Sequence, residues 1–153
     1  VPLQLPVLRS KLDKVFNEQL ESAQEIAQRI ARAYQEYAQG GIAPPGVPFV
    51  FKGTESKFLE LAILLTVKAR YLPPQAAQTI GNAVLQFWLA PPITTSAGGV
   101  VTAVVPAVGV GRLQAVKVDT IPQAALALAQ AFDLMTRTVF VTNTPPVPSG
   151  LII

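Results

Sequence analysis

The chain has 153 residues, 50% of them hydrophobic and only 14% charged, which suits one domain (residues 1–153) with a sizeable core. Its net charge of +3 comes from 12 basic and nine acidic residues without a cluster of Lys or Arg, so the patterned positive charge that nucleic-acid binding requires is missing. Cysteine and histidine are both absent, which excludes disulfides, thiol nucleophiles, the usual zinc ligands and imidazole bases.

The prolines and apolar residues of 1–6 suggest an extended arm over residues 1–9. Ser10 with Asp13 resembles a capping box and predicts a helix to about Ala38, with Asn17 as a point where it could divide in two. Leu12, Phe16, Leu20, Ala23, Ala27, Ile30, Tyr34 and Tyr37 recur at spacings of three or four, while Glu18, Glu21, Glu25, Arg29, Arg32 and Glu36 take the other face. Gly40 and Gly41 end that helix. Residues 40–53, with Pro44, Pro45 and Pro48, read as an extended connector.

Thr54 suits the cap of a second helix reaching about Tyr71, with Phe58, Leu61, Ala62, Leu65 and Ala69 inward. Pro73 and Pro74 fit the first turn of a third, which ends between Trp88 and Ala90 because Pro91 and Pro92 cannot continue it. Residues 100–105 are rich in β-branched residues and bounded by Gly99 and Pro106, predicting a strand. Residues 114–118 are a second candidate strand. Asp119 or Thr120 then caps a fourth helix over 124–135, with Pro122 in its first turn, apolar nearly all round and so buried on most sides. Residues 138–142 are the last candidate strand, before a Pro-rich arm over 143–153.

Two apolar stretches fall short of the roughly 18–20 residues that span a bilayer: 58–67 carries Glu60, and 97–111 is broken by glycines and Pro106. The opening residues lack the basic and apolar regions of a signal peptide. Both readings predict a soluble chain with no membrane partner.

Placing residues 23–34 over 77–88, an offset of 54, aligns Ile26 with Ile80, Ile30 with Val84 and Tyr34 with Trp88. A fainter copy, Ala125, Leu128, Ala129 and Phe132, lies a further 48 positions on, and Pro-Pro pairs at 44–45, 91–92 and 145–146 follow the three helices. Small and aliphatic residues at such spacings are also the generic pattern of close-packed helices, and that explanation is preferred from sequence.

Little here points to catalysis. Glu18, Glu21 and Glu25 share a helical stripe, but hard cations usually draw their ligands from a turning loop. Asp133 stands four residues before Arg137, an ordinary helical ion pair. Gly109-Val-Gly-Arg112 lacks the third glycine and the Lys-Ser/Thr of a phosphate loop. Thr94, Thr95 and Ser96 have no base beside them in sequence. Phe87, Trp88, Tyr34 and Tyr37 lack the basic surround of a base-stacking site, which favours a core or contact role.

The bulk composition is more informative. From Tyr71 to Ile153 the only charges are Arg112, Lys117, Asp119, Asp133 and Arg137. So few charges predict that part of this half is covered by protein partners.

Leu8-Arg-Ser-Lys-Leu-Asp-Lys-Val-Phe16, followed by a helix ending Ala31-Arg-Ala-Tyr-Gln-Glu-Tyr37 before two glycines, resembles small virion structural proteins of tailed bacteriophages. So does Ala127-Leu-Ala-Gln-Ala-Phe-Asp-Leu-Met-Thr-Arg-Thr-Val-Phe-Val-Thr142, an Ala-rich helix running into a Thr/Val strand. The resemblance covers about half the chain. It implies a structural role in a capsid, neck, tail or baseplate, assembled in the host cytoplasm, beside copies of itself and other virion proteins.

The sequence therefore predicts an α+β domain of about four helices packed with a small β-sheet and extended Pro-rich termini. Its expected role is that of a non-enzymatic subunit with no cofactor or metal. Candidate contact residues are Phe87, Trp88, Leu89, Val100, Val101, Val104, Val139, Phe140, Val141, Leu151, Ile152 and Ile153, with strand addition at 138–142 as one mode. The alternative is a small apolar-ligand or peptide-binding module, its pocket lined by Phe87, Trp88 and the valine-rich segment.

Overall fold

The computed structural model describes residues 3–17, 22–69, 73–115, 121–145 and 147–153. These residues hold six helices and a six-stranded antiparallel sheet, which corrects the expectation of about four helices with a small sheet. The elements follow one rule three times: two helices, then a β-hairpin. The first unit is α1 (Leu5–Asn17), α2 (Ala23–Gln39), β1 (Ile42–Ala43) and β2 (Val47–Val50). The second is α3 (Ser56–Ala69), α4 (Pro73–Leu89), β3 (Thr94–Thr95) and β4 (Val100–Ala103). The third is α5 (Ala107–Ala115), α6 (Ile121–Thr136), β5 (Phe140–Thr142) and β6 (Gly150–Leu151).

The correspondence extends to single residues. Helices α2 and α4 are both 17 residues long and begin at 23 and 73, 50 positions apart; α6 begins 48 positions later, at 121. On that register the buried sets coincide: Ala33, Tyr34, Tyr37 and Ala38 match Ala83, Val84, Phe87 and Trp88, then Ala131, Phe132, Met135 and Thr136. In α1, α3 and α5 the buried Leu8, Leu59 and Val110 stand 51 positions apart in turn. The repetition is thus real in the fold, but the sequence offset of 54 between the first two copies is one helical turn too long.

The sheet runs β1 to β6 in order, and each strand is antiparallel to the next. Just beyond β6, Ile153 N–H donates to Ile42 O at 3.1 Å and Ile42 N–H donates to Ile153 O at 3.0 Å, tying the last strand to the first. The result is a small, nearly closed barrel, which removes the exposed edges of an open sheet. Alternate residues fill it: Ala43, Phe49, Thr95, Val101, Val141 and Ile152 are buried, while Val50, Thr94, Phe140 and Leu151 face outward. The helices follow the same circuit, each packing on the next, with α1 closing on α6.

Several sequence expectations change. The 1–9 arm is helical from Leu5, so Ser10 lies inside α1, and Leu3 is buried. The long first helix is two, and Ser22 caps the second by accepting from Glu25 N–H at 3.2 Å. The connector 40–53 forms the first hairpin, and the peptide bonds Pro44–Pro45 and Ala90–Pro91 are cis. The 143–153 arm folds back onto its own barrel: Asn143 Nδ2 donates to Pro44 O at 3.0 Å and Pro148 O at 2.7 Å.

Residues 107–115, unassigned from sequence except for a candidate strand at 114–118, form α5 as far as Ala115; 116–118 lie outside the described residues, as do Asp119, Thr120, Glu18, Leu20 and Glu21. Glycine disfavours helices, yet Gly109 sits where a Cβ would run into Met135 and lie 2.6 Å from Ala131 O. Close packing of α5 on α6 needs that missing Cβ and outweighs the local preference.

Candidate functional site

Helices α2, α4 and α6 meet in a chain of hydrogen bonds. Trp88 Nε1–H donates to Tyr34 Oη at 2.9 Å, Tyr34 Oη bonds Thr136 Oγ1 at 2.8 Å, and Thr136 Oγ1–H donates to Phe132 O at 2.7 Å. With Thr136 donating onward, Tyr34 is the donor to Thr136 and the acceptor from Trp88, so every polar atom is satisfied. Trp88 and Thr136 are corresponding residues of α4 and α6; Tyr34, one turn before their counterpart Ala38, reaches both. Around this chain, Tyr34 packs on Phe87 and Phe132 with ring centroids 5.0 and 4.7 Å apart, and Trp88 packs edge-on to Phe49 at 5.1 Å.

Beside it, Tyr37 Oη–H donates to Asp133 Oδ1, and Arg137 Nε donates to Asp133 Oδ2 at 2.9 Å. Burial pushes the Tyr34 hydroxyl up to about 12. Burial, then the hydrogen bond to the Asp133 carboxylate, pushes Tyr37 further in the same direction, and the same carboxylate raises Arg137. Both tyrosines thus stay protonated, with their hydroxyls held between helices. The arrangement fastens α2 to α4 and α6: the Tyr34 and Tyr37 hydroxyls and the Trp88 indole N–H are engaged in the core, while the Arg137 side chain is half-exposed and Asp133 lines a groove with Arg112 and Gln130.

The contact residues expected from sequence separate into two groups. Phe87, Trp88, Val101, Val104, Val139, Val141 and Ile152 are buried inside this single chain, and Leu89 is partly buried against them. Phe140, Leu151 and Ile153 are exposed on the barrel wall, with Val100 intermediate. Phe140 pairs across the strands with Leu151, and Ile153 lies beside Ile42, so these outward apolar groups are neighbours. Strand addition at 138–142 is ruled out because β5 already has β4 on one side and β6 on the other. Since Phe87 and Trp88 have no exposed surface, they fill the core and do not line a ligand pocket.

A surface that sequence reading missed lies on α3. Leu61 and Leu65, expected inward, are 58% and 53% exposed, whereas Leu59 and Ile63 are buried. Leu61 stands one turn after the exposed Lys57, so these leucines lie beside the charged side of α3, a signal that the run of leucines in this helix obscured. The two leucines border a groove of about 240 Å³ between α3 and α4, floored by Ala62 and Ala83 and walled opposite by Thr79, Asn82 and Gln86. Between α1 and α2 lies another groove, of about 470 Å³, lined by charges that include Lys11, Lys14, Arg32 and Glu36, with Lys11 paired to Glu36.

Among the described residues, no group of three or more potential metal ligands comes together, and no helix is long and apolar enough to cross a membrane. The fold and its surfaces define a three-unit helix-ring and barrel protein. No protein-family model, curated protein or solved structure matches this chain.

Proposed function

We propose that this chain is a non-enzymatic structural subunit of a protein assembly. The observation that carries the reading is the uncharged surface: no residue from Tyr71 to Gly111 bears a charge, and Leu61, Leu65, Val50, Leu151 and Ile153 are each more than half exposed nearby in sequence or on the barrel wall. Apolar, charge-free surface is unfavourable in water and is characteristic of interface cores. The resemblance to small virion structural proteins of tailed bacteriophages makes a virion the proposed assembly, with copies of the chain and other virion proteins as partners. The internal hydrogen bonding of Tyr34, Tyr37 and Asp133 supports a structural role, because each group is engaged in holding helices.

Light scattering on the purified chain at micromolar concentration, with a hydrophobic dye added in parallel, tests this reading. The expected result is self-association or dye binding. A stable monomer that binds no dye overturns it.

A further inference from the structure

We propose that the groove between α1, α5 and α6 binds a monocarboxylate with an aliphatic body, its carboxylate held on the outer edge of the Arg112 guanidinium. The groove measures about 320 Å³ and is lined by Leu5 of α1, Arg112 of α5, and Gln130, Asp133 and Leu134 of α6. Its polar groups stand out from their surroundings. No residue from Tyr71 to Gly111 bears a charge, yet Arg112, Asp133 and Arg137 gather here. Carried back by the repeat spacings of 51 for α5 and 48 for α6, these positions hold Leu61, Leu85 and Leu89 in the second unit, where the same helix pair forms. Packing of the helix pair therefore does not require charge at these positions.

Two of the three charges answer one another. Both oxygens of Asp133 are engaged, Oδ1 by the Tyr37 hydroxyl and Oδ2 by Arg137 Nε–H at 2.9 Å, which leaves Arg112 as the uncompensated charge. Among the described residues Arg112 forms no ion pair. Instead its Nε–H and Nη2–H both donate to Gln130 Oε1, at 3.2 and 2.6 Å. That contact uses one of the two donor edges of the guanidinium and fixes its plane. The outer edge, made by Nη1–H and the second Nη2–H, has no acceptor among the described residues and matches the two oxygens of a carboxylate. Because Gln130 holds the fork in advance, binding loses less side-chain freedom than it would at an unbraced arginine. The walls define the rest of the ligand. Leu5 and Leu134 offer apolar contact to an aliphatic body, and the Asp133 carboxylate disfavours a dianion such as phosphate. No aromatic ring lines the groove to stack a base.

Titration of the protein with isocaproate, followed through its amide NMR resonances, tests the site. Resonances of Arg112, Gln130 and Leu134 should shift saturably at millimolar concentration, and the neutral isocaproamide should leave them in place. Arg112→Gln should weaken binding roughly tenfold or more. Arg112→Lys keeps the charge without the fork, and Gln130→Ala removes the brace without changing the charge, so each should weaken binding several-fold. Arg112 is exposed and Gln130 half-buried, so the helical circular dichroism of these variants should match the parent. N-acetyl-leucine presents the same isobutyl group and carboxylate as the end of a peptide: tighter binding than isocaproate assigns the site to a chain terminus, and binding no tighter assigns it to a free aliphatic acid. No saturable shift with either acid, equal binding of the amide, or undiminished binding by Arg112→Gln overturns the proposal. Phosphate displacing isocaproate at lower concentration overturns it in favour of a phosphate ligand. The site is complete within one chain, so these outcomes do not depend on whether the protein self-associates.

Discussion

The indole N–H of Trp88 donates to the hydroxyl of Tyr34 at 2.9 Å, joining two helices that correspond to one another in successive units. Both side chains are fully buried, so the bond forms away from water and its loss would strand a polar group in the core. Tyr34→Phe should therefore cost about 1–3 kcal/mol. Trp88→Ala, which also empties an aromatic site, should cost about 3–5 kcal/mol. Denaturant unfolding of both variants checks the order; an unchanged midpoint in Trp88→Ala would contradict the packing described.

Stability should decline at alkaline pH. The folded pKa of Tyr34 is raised from 10.0 to about 12, and that of Tyr37 is raised as well. The folded state therefore holds these protons more tightly than the unfolded state. Their contribution is fully present below about pH 10 and is lost as pH rises through the folded values. Unfolding midpoints measured from pH 8 upwards should fall above roughly pH 10, and less steeply in Tyr34→Phe. A parent midpoint flat through this window would contradict the burial of both hydroxyls.

Two glycines of α5 should respond in opposite directions. Gly109→Ala drives a methyl group into Met135 and Ala131 O and should destabilise by about 1–3 kcal/mol. Gly111 has no neighbouring atom within 4 Å of an added Cβ, so Gly111→Ala should stabilise by about 0.5–1 kcal/mol through helix propensity. Equal melting temperatures for the pair would show that α5 does not pack closely on α6.

Barrel closure predicts protected amides at its seam. Ile42 and Ile153 exchange both backbone hydrogen bonds. Their N–H groups should exchange with deuterium far more slowly than exposed amides, and Asn143→Ala, which removes the ties to Pro44 O and Pro148 O, should speed both. Unprotected amides at Ile42 and Ile153 in the parent would mean that the barrel is open there.

The long, punctuated elements were legible in the sequence. Pro73 and Pro74 at one end and Pro91 and Pro92 at the other bound α4, and the helix runs Pro73–Leu89. Ser22 with Glu25 carried the N-terminal signature of α2, but uninterrupted apolar spacing across 12–37 hid it. Strands β1, β3 and β6 are two residues each, too short for alternation to register, and their pairing is set by the distant residues that close the barrel. Tyr34 and Trp88 misled in an instructive way: they touch, and they invite alignment, yet by helix register Trp88 corresponds to Ala38. On α3 the excess of leucines marked a helix with more apolar surface than its core contact uses, without showing that Leu61 and Leu65 were the surplus.

The most direct measurement is imaging of the associated protein at side-chain resolution, because it reports what covers each face. The account predicts protein density over Leu61, Leu65 and the apolar barrel wall at Phe140 and Leu151, with the charged groove at Lys14 and Arg32 less covered. Neighbours seated on the charged α1–α2 groove, with the α3–α4 groove and barrel wall bare to solvent, would contradict it.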